Sequence, residues 1–128
     1  MMKNLRYLLV ACTFILFTLP VLAQGDIISA ADFMKLIKTD KNVVIIDASK
    51  ADDYTKAHLK DAVNIPYKTL NNDGDIEGVI KTPAEMAAIF GEQGVSETNT
   101  IVVYDGGSQK YSSRVYWVLK YLGAPNVK

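Results

Sequence analysis

At 128 residues the chain is the size of one ordinary domain, and after removal of a leader about a hundred residues remain to build a core. Basic and acidic side chains balance at 14 each, but Lys3 and Arg6 both lie in the leader, which leaves the remainder slightly acidic. That balance gives no electrostatic reason to expect nucleic acid as a partner.

The leader runs from two positive charges within Met1 to Arg6, through an apolar stretch from Tyr7 to Leu19, to Pro20-Val21-Leu22-Ala23-Gln24. Small side chains at Val21 and Ala23 suit the pockets of signal peptidase, so residues 1–23 are expected to be a signal peptide and residues 24–128 the domain it exports. The apolar stretch is shorter than the about 20 residues that span a bilayer, so membrane contact is expected only through the leader during export. Leu9-Val10-Ala11-Cys12 superficially matches a lipoprotein cleavage box. Cutting there would leave too short an apolar run before the site and strand a greasy one after it. Cys12 is the one cysteine in the chain. Once it departs with the leader, no disulfide, thiolate metal site or sulfur nucleophile is available. The expected location is the periplasm or the outside of the cell.

Beyond the leader, strands and helices alternate. Ser29 is placed to cap a helix carrying Phe33, Leu36 and Ile37 at helical spacing. Val43-Val44-Ile45-Ile46, an unbroken β-branched run, predicts a buried strand ending at Asp47. Lys50 to Lys60 reads as a short helix and a turn, with Tyr54 and Leu59 as its apolar points. Ala62-Val63-Asn64-Ile65-Pro66 is a brief strand stopped by proline, and Asn71 to Asp75 is a surface loop. Thr82-Pro83-Ala84-Glu85 carries the marks of a capping box, opening a helix that buries Met86, Ile89 and Phe90 and ends at Gly91 or Gly94. Thr100 to Tyr104 is a second buried strand, again ending at an aspartate, Asp105. From Tyr111 to Leu122, the residues Val115, Val118, Leu119 and Leu122 form a helical stripe closed by Gly123. The alternation predicts an α/β domain with a parallel central sheet and helices on both faces.

In open parallel sheets ligands bind beyond the carboxyl ends of the strands, which directs attention to Asp47 and Asp105. Each can equally serve as a carboxylate that accepts backbone N–H bonds in a tight turn or at a helix start. The loop Asp105-Gly106-Gly107-Ser108-Gln109 leads into a helix and can aim several N–H groups at one anion, a setting suited to a thiolate, persulfide or phosphate. Asp105, itself an anion, is expected to fill that field. His58 is the only histidine, so it cannot join a histidine metal cluster and is read as pinning its turn by hydrogen bonding. Arg114 is a candidate to reach the loop or a docked anion, or to pack as a structural arginine. Tyr116, Trp117 and Tyr121 read as core and rim of one helix. No metal or cofactor is expected.

Several motifs in this order resemble the rhodanese family. Val44-Ile45-Ile46-Asp47-Ala48-Ser49, Tyr54, His58-Leu59 and Ala62-Val63-Asn64-Ile65-Pro66 are similar to its first signature. Ile101 to Asp105 with Ser113-Arg114-Val115-Tyr116-Trp117-Val118-Leu119 and Leu122-Gly123 is similar to the second. Lys60 and Asp61 stand where the family usually has Pro and Gly, and Ala57 where single-domain members often have Gly, which implies a differently built turn. Ser49 stands where active single-domain members commonly have arginine, and Asp105 stands at the catalytic cysteine position. These features resemble the amino-terminal, non-catalytic domain of tandem thiosulfate and 3-mercaptopyruvate sulfurtransferases. The resemblance implies a last strand and helix beyond Lys128, an incomplete domain, and a cysteine-bearing second rhodanese domain as partner.

The resulting expectation is a non-catalytic half of an exported sulfurtransferase, with Asp47, Ser49 and His58 structural and no catalytic residue in the chain. The alternative is a stand-alone inactive rhodanese-like module that binds an anion or a protein through Asp105, Gly106, Gly107 and Arg114. A magnesium-dependent phosphoryl-transfer site on Asp47 and Asp105 lacks the lysine partner and the closely spaced acidic pair that it needs.

Overall fold

The computed structural model describes residues 25–128. The expected signal peptide, its expected cleavage after Ala23 and the Cys12 motif lie outside the described residues. Eight elements follow one another: α1 (Ala30–Thr39), β1 (Val43–Asp47), α2 (Ala51–Lys56), β2 (Val63–Asn64), a 3-10 turn (Tyr67–Leu70), α3 (Pro83–Glu92), β3 (Thr100–Tyr104) and α4 (Lys110–Tyr121).

The strands form a parallel sheet in the order β2-β1-β3, flanked by helices. β1 is therefore paired on both edges, with Ile46 opposite Val63 on one side and Val103 on the other. A strand in that position has no polar side or edge to offer water, which is why its sequence is a continuous apolar run rather than an alternating one. Ile46 is wholly buried, and Ile65, Met86, Ile101, Val115 and Val118 pack into the same core.

Local signals set the helix starts. Ser29 Oγ accepts from the N–H of Asp32 at 3.1 Å at the head of α1. Thr82 and Glu85 close a reciprocal capping box at α3, with Thr82 N–H donating to Glu85 Oε2 at 2.9 Å. The Thr82 hydroxyl and N–H together hold the Glu85 carboxyl below its usual range. Gly91 lies within α3, and the helix stops at Gln93, followed by Gly94 in the left-handed region. α1 buries no residue completely; Phe33, Leu36 and Ile37 are half-buried.

One expectation is refined and one is corrected. Trp117 and Tyr121 are about half exposed, stacked on each other with ring centroids 5.5 Å apart on the outer side of α4, while Val115, Val118 and Leu119 fill the core. An aromatic at position 117 lies two residues from Val115 and one from Val118, about 160° and about 100° of helix away from them, so it cannot share their stripe. The turn before β2 is also not built in a new way. Ala62 N–H donates to Leu59 O at 3.1 Å and Asp61 holds φ 63°, so Lys60 and Asp61 occupy the two central positions of a turn whose third residue is left-handed. That is the backbone that Pro-Gly favours, and aspartate tolerates it better than most side chains.

Asp61→Gly is therefore expected to stabilise the domain by about 0.5–1 kcal/mol, since relief of a left-handed residue exceeds the added entropy of glycine. Thermal melts of the two forms check this, and an unchanged or lower Tm would show that the turn stores no strain.

The loop after the 3-10 turn is pinched shut. Asn71 and Ile80 form an antiparallel bridge, with Asn72 N–H donating to Val79 O at 2.7 Å. Asn71, expected at the surface, is buried there.

Candidate functional site

Both strand-end aspartates lie at the carboxyl edge of the sheet, where β1 and β3 are in register with Asp47 opposite Tyr104. Their surroundings differ. Asp47 is buried and accepts a hydrogen bond from the N–H of Ser49 at 2.8 Å, closing a tight turn as β1 ends. Asn64, at the end of β2, staples that turn from the neighbouring strand. Its Nδ2 donates to the carbonyls of Asp47 and Ser49, both at 3.0 Å. The Asp47 carbonyl also accepts from the N–H of Ile65 at 2.9 Å, so the amide adds a second donor there and supplies one to Ser49 just past the end of the strand.

The turn carrying His58 is tied on the other side. His58 Nδ1–H donates to the carbonyl of Tyr54 at 2.8 Å, and the two rings stack with centroids 3.9 Å apart. Tyr54 in turn donates its hydroxyl to Ala62 O at 2.7 Å. From β3, the hydroxyl of Tyr104 accepts from the N–H of Leu59 at 2.9 Å. Burial and then the Asp47 carboxyl push the Tyr104 phenol up to about 12, so it stays a neutral hydroxyl throughout the physiological range. These groups form a connected polar support.

The loop after β3 is the chemical centre of this edge. Asp105 turns its carboxylate back into its own loop. Oδ1 accepts from the N–H of Gly107 at 2.9 Å and of Gln109 at 3.0 Å. Oδ2 accepts from the N–H of Tyr111 and of Ser112, both at 3.0 Å, and from the Ser112 hydroxyl at 3.1 Å. Tyr111 and Ser112 lie in the first turn of α4, so Asp105 performs from outside the helix the work of an N-cap side chain. Gln109, the residue in cap position, contributes no side-chain bond and sits at φ 58°. Gly107 adopts φ 108°, a backbone that only glycine takes up easily, and this brings its N–H into line with those of the helix. Gly106 gives no hydrogen bond to the carboxylate. Burial acts to raise the pKa of Asp105, but the N–H groups of Ser112, Gln109, Gly107 and Tyr111 outweigh it and hold the carboxyl below its usual value.

Arg114 does not join this cradle. Its Nη2 donates to the carbonyl of Gly78 at 2.6 Å, with the guanidinium 5.7 Å from the Trp117 ring centre. It clamps the 71–80 loop onto α4. Sequence reasoning missed Asn64, Tyr104 and Ser112. Asn64 carried a signal, a lone amide inside an otherwise apolar strand, whereas the convergence of Ser112 on Asp105 depends on the path of the loop.

The arrangement is a collar of N–H groups and the Ser112 hydroxyl closed around a resident carboxylate, and among the described residues no thiol or imidazole base converges on it. Among the described residues, no group of three or more His, Cys, Asp or Glu side chains is placed to hold a metal ion.

Comparison with known proteins shows the family to which this fold belongs. The rhodanese-like domain profile matches residues 29–128. A Mycobacterium leprae protein named for thiosulfate sulfurtransferase activity is 22% identical over 108 residues, which is 84% of this chain and 39% of that protein. A Haloferax volcanii protein named for the same activity is 28% identical over 74 residues, 58% of this chain and 26% of its own length. Among solved structures, SseA from Escherichia coli, described in connection with 3-mercaptopyruvate sulfotransferases, superposes with a TM-score of 0.66 at 29% identity, covering 80% of this chain and 39% of SseA. YnjE matches with a TM-score of 0.67 at 15% identity, a likeness of fold alone. This chain thus spans about two-fifths or less of the length of these relatives.

Proposed function

The chain belongs to the rhodanese-like domain family, and from that membership we propose that it is a supporting, non-catalytic rhodanese unit of an exported sulfurtransferase. The observation that carries the reading is the carboxylate of Asp105 in its collar of four N–H groups. In the family, as the sequence resemblance implies, this position belongs to the cysteine that takes sulfur from thiosulfate or mercaptopyruvate and holds it as a persulfide. A carboxylate forms no persulfide, and it occupies the donors that would stabilise one.

Sulfur transfer on this reading is done by a cysteine in a second rhodanese domain, against which this one packs. The polar support of the neighbouring turns, from Asn64, Tyr54, His58 and Tyr104, fits a domain whose contribution is shape. Export of the assembly from the cytoplasm, on this reading, is supported by the leader-like pattern of residues 1–23.

The test is a thiosulfate:cyanide assay of the chain alone and of the chain mixed with a cysteine-bearing rhodanese domain. The expected result is no thiocyanate above the uncatalysed rate from the chain alone, and a rate in the mixture that exceeds that of the cysteine-bearing domain by itself. Thiocyanate production by the chain alone would overturn the reading. Binding of an external anion at the loop is disfavoured by the same observation, because the donors it would use are engaged by Asp105.

A further inference from the structure

The chain contains two Asp-Gly units, Asp73-Gly74 and Asp105-Gly106. In such a unit the glycine nitrogen can attack the carboxyl carbon of the preceding aspartate, because glycine carries no Cβ to crowd the approach. Local chemistry is the same in both, so a difference in reactivity has to come from the fold. Asp73-Gly74 lies at the exposed tip of the loop after the 3-10 turn. That loop is tied at its base by the bridge between Asn71 and Ile80, and Arg114 holds it at the Gly78 carbonyl. Between these ties, the Asp73 carboxylate and the Gly74 N–H have no hydrogen-bond or ion-pair partner among the described residues. Nothing lies within 4 Å of the place that a Cβ on Gly74 would take.

Gly106 is equally open. The difference lies in the aspartate before it. Oδ1 of Asp105 is bound by the N–H groups of Gly107 and Gln109, and Oδ2 by those of Tyr111 and Ser112 and by the Ser112 hydroxyl. Attack by a neighbouring nitrogen turns the flat carboxyl group into a tetrahedral carbon and expels one of its oxygens as water. Whichever oxygen leaves, its donors lose their acceptor together, at the head of a helix whose cap residue Gln109 supplies no side-chain bond of its own.

We propose that Asp73-Gly74 is a site of backbone modification in the folded protein, isomerising through a cyclic imide to isoaspartate, and that the collar protects Asp105-Gly106 from the same reaction. In the first step a bond forms between the Gly74 nitrogen and the Asp73 Cγ. The Cγ–OH bond breaks, and the hydroxyl leaves as water with the proton of that nitrogen. In the second step water adds to one of the imide carbonyls. Opening at Cγ restores aspartate, whereas opening at the main-chain carbonyl leaves Gly74 joined through Cγ and frees the former main-chain carboxyl. No electrons are exchanged, and the mass is unchanged. The product inserts the Asp73 methylene into the main chain of the loop that Arg114 clamps, and it leaves the collar at the head of α4 intact. The contrast is a property of the two loops and does not depend on the sulfurtransferase reading.

The experiment incubates the full chain at neutral pH and physiological temperature, digests it at intervals and separates the aspartyl from the isoaspartyl peptides, with electron-transfer fragmentation assigning each isomer. The expected result is isoaspartate at Asp73 accumulating at least about thirtyfold faster than at Asp105, where hydrogen bonds to a charged acceptor have to be released first. In concentrated urea the two sites are expected to react at comparable rates, because the collar is gone. Asp73→Glu, whose longer side chain would have to close a larger ring, is expected to remove the first product and leave Asp105 as slow as before. Equal rates at the two sites in native protein would overturn the proposal. So would absence of isoaspartate at Asp73, or a difference that persists in urea, which would assign it to neighbouring sequence and not to the fold. None of these readouts involves sulfur transfer, so they stand or fall separately from the assay above.

Discussion

Replacing Asp105 with alanine is expected to lower stability by about 2–3 kcal/mol, since loss of an N-cap costs up to about 2 kcal/mol and hydrogen bonds to a charged acceptor are each stronger than neutral ones. The substitution releases the N–H groups of Gly107, Gln109, Tyr111 and Ser112 together and uncaps α4, whose Val115, Val118 and Leu119 are part of the core. For a domain of this size the loss corresponds to a Tm lower by roughly 10–20 °C. Asp105→Asn keeps one carbonyl oxygen as acceptor and is expected to lose about half as much.

The two variants also separate charge from shape. The Asp105 carboxyl titrates lower in the folded chain than in the unfolded one. Its contribution is therefore complete above the unfolded carboxyl pKa of about 3.9, and it is lost as pH falls through the folded value. The Tm advantage of the parent over Asp105→Asn should hold steady from neutral pH to about 5 and shrink below about 4. Melting curves across that range decide it, and a constant gap down to low pH would mean that the carboxylate charge does not contribute.

Asp105→Cys in a Cys12→Ser background is expected to produce a thiol whose pKa lies below about 7, against about 8.5 for an unperturbed cysteine. The reason is the same collar of N–H groups, which stabilises whichever anion stands at its centre. Alkylation by iodoacetamide as a function of pH reads the value directly. A pKa at or above that of free cysteine would show that the collar collapses without its carboxylate, and that this loop is a helix cap rather than an anion cradle. Arg114 is held by the carbonyl of Gly78 and is not available to lower the thiol further, so the shift reports the N–H groups together with the Ser112 hydroxyl.

These expectations rest on a loop whose character was partly legible in one dimension. A buried strand, an aspartate, two glycines and a helix already place a negative side chain where N–H groups gather, and that much follows from local chemistry. The pairing of Ser112 with Asp105 did not, because Gln109 enters the left-handed region and redirects the chain, and nothing in a lone glutamine signals that conformation. The same holds for Asp61, where a left-handed aspartate retains a turn that its sequence seemed to have abandoned.

For the fold, the sequence by itself determined the order of strands and helices, the capping box at Thr82 and the buried faces of α3 and α4, because periodicity and helix ends depend on neighbours within a few residues. It also determined the aspartate at the end of β3 and the lack of any cysteine between Cys12 and Lys128. Only the tertiary structure decided that Arg114 clamps the 71–80 loop instead of reaching Asp105, that Asn64 staples the end of β1, and that Trp117 faces outward. These depend on contacts between residues far apart in the chain, where packing and backbone hydrogen bonding, not local preference, choose the partner.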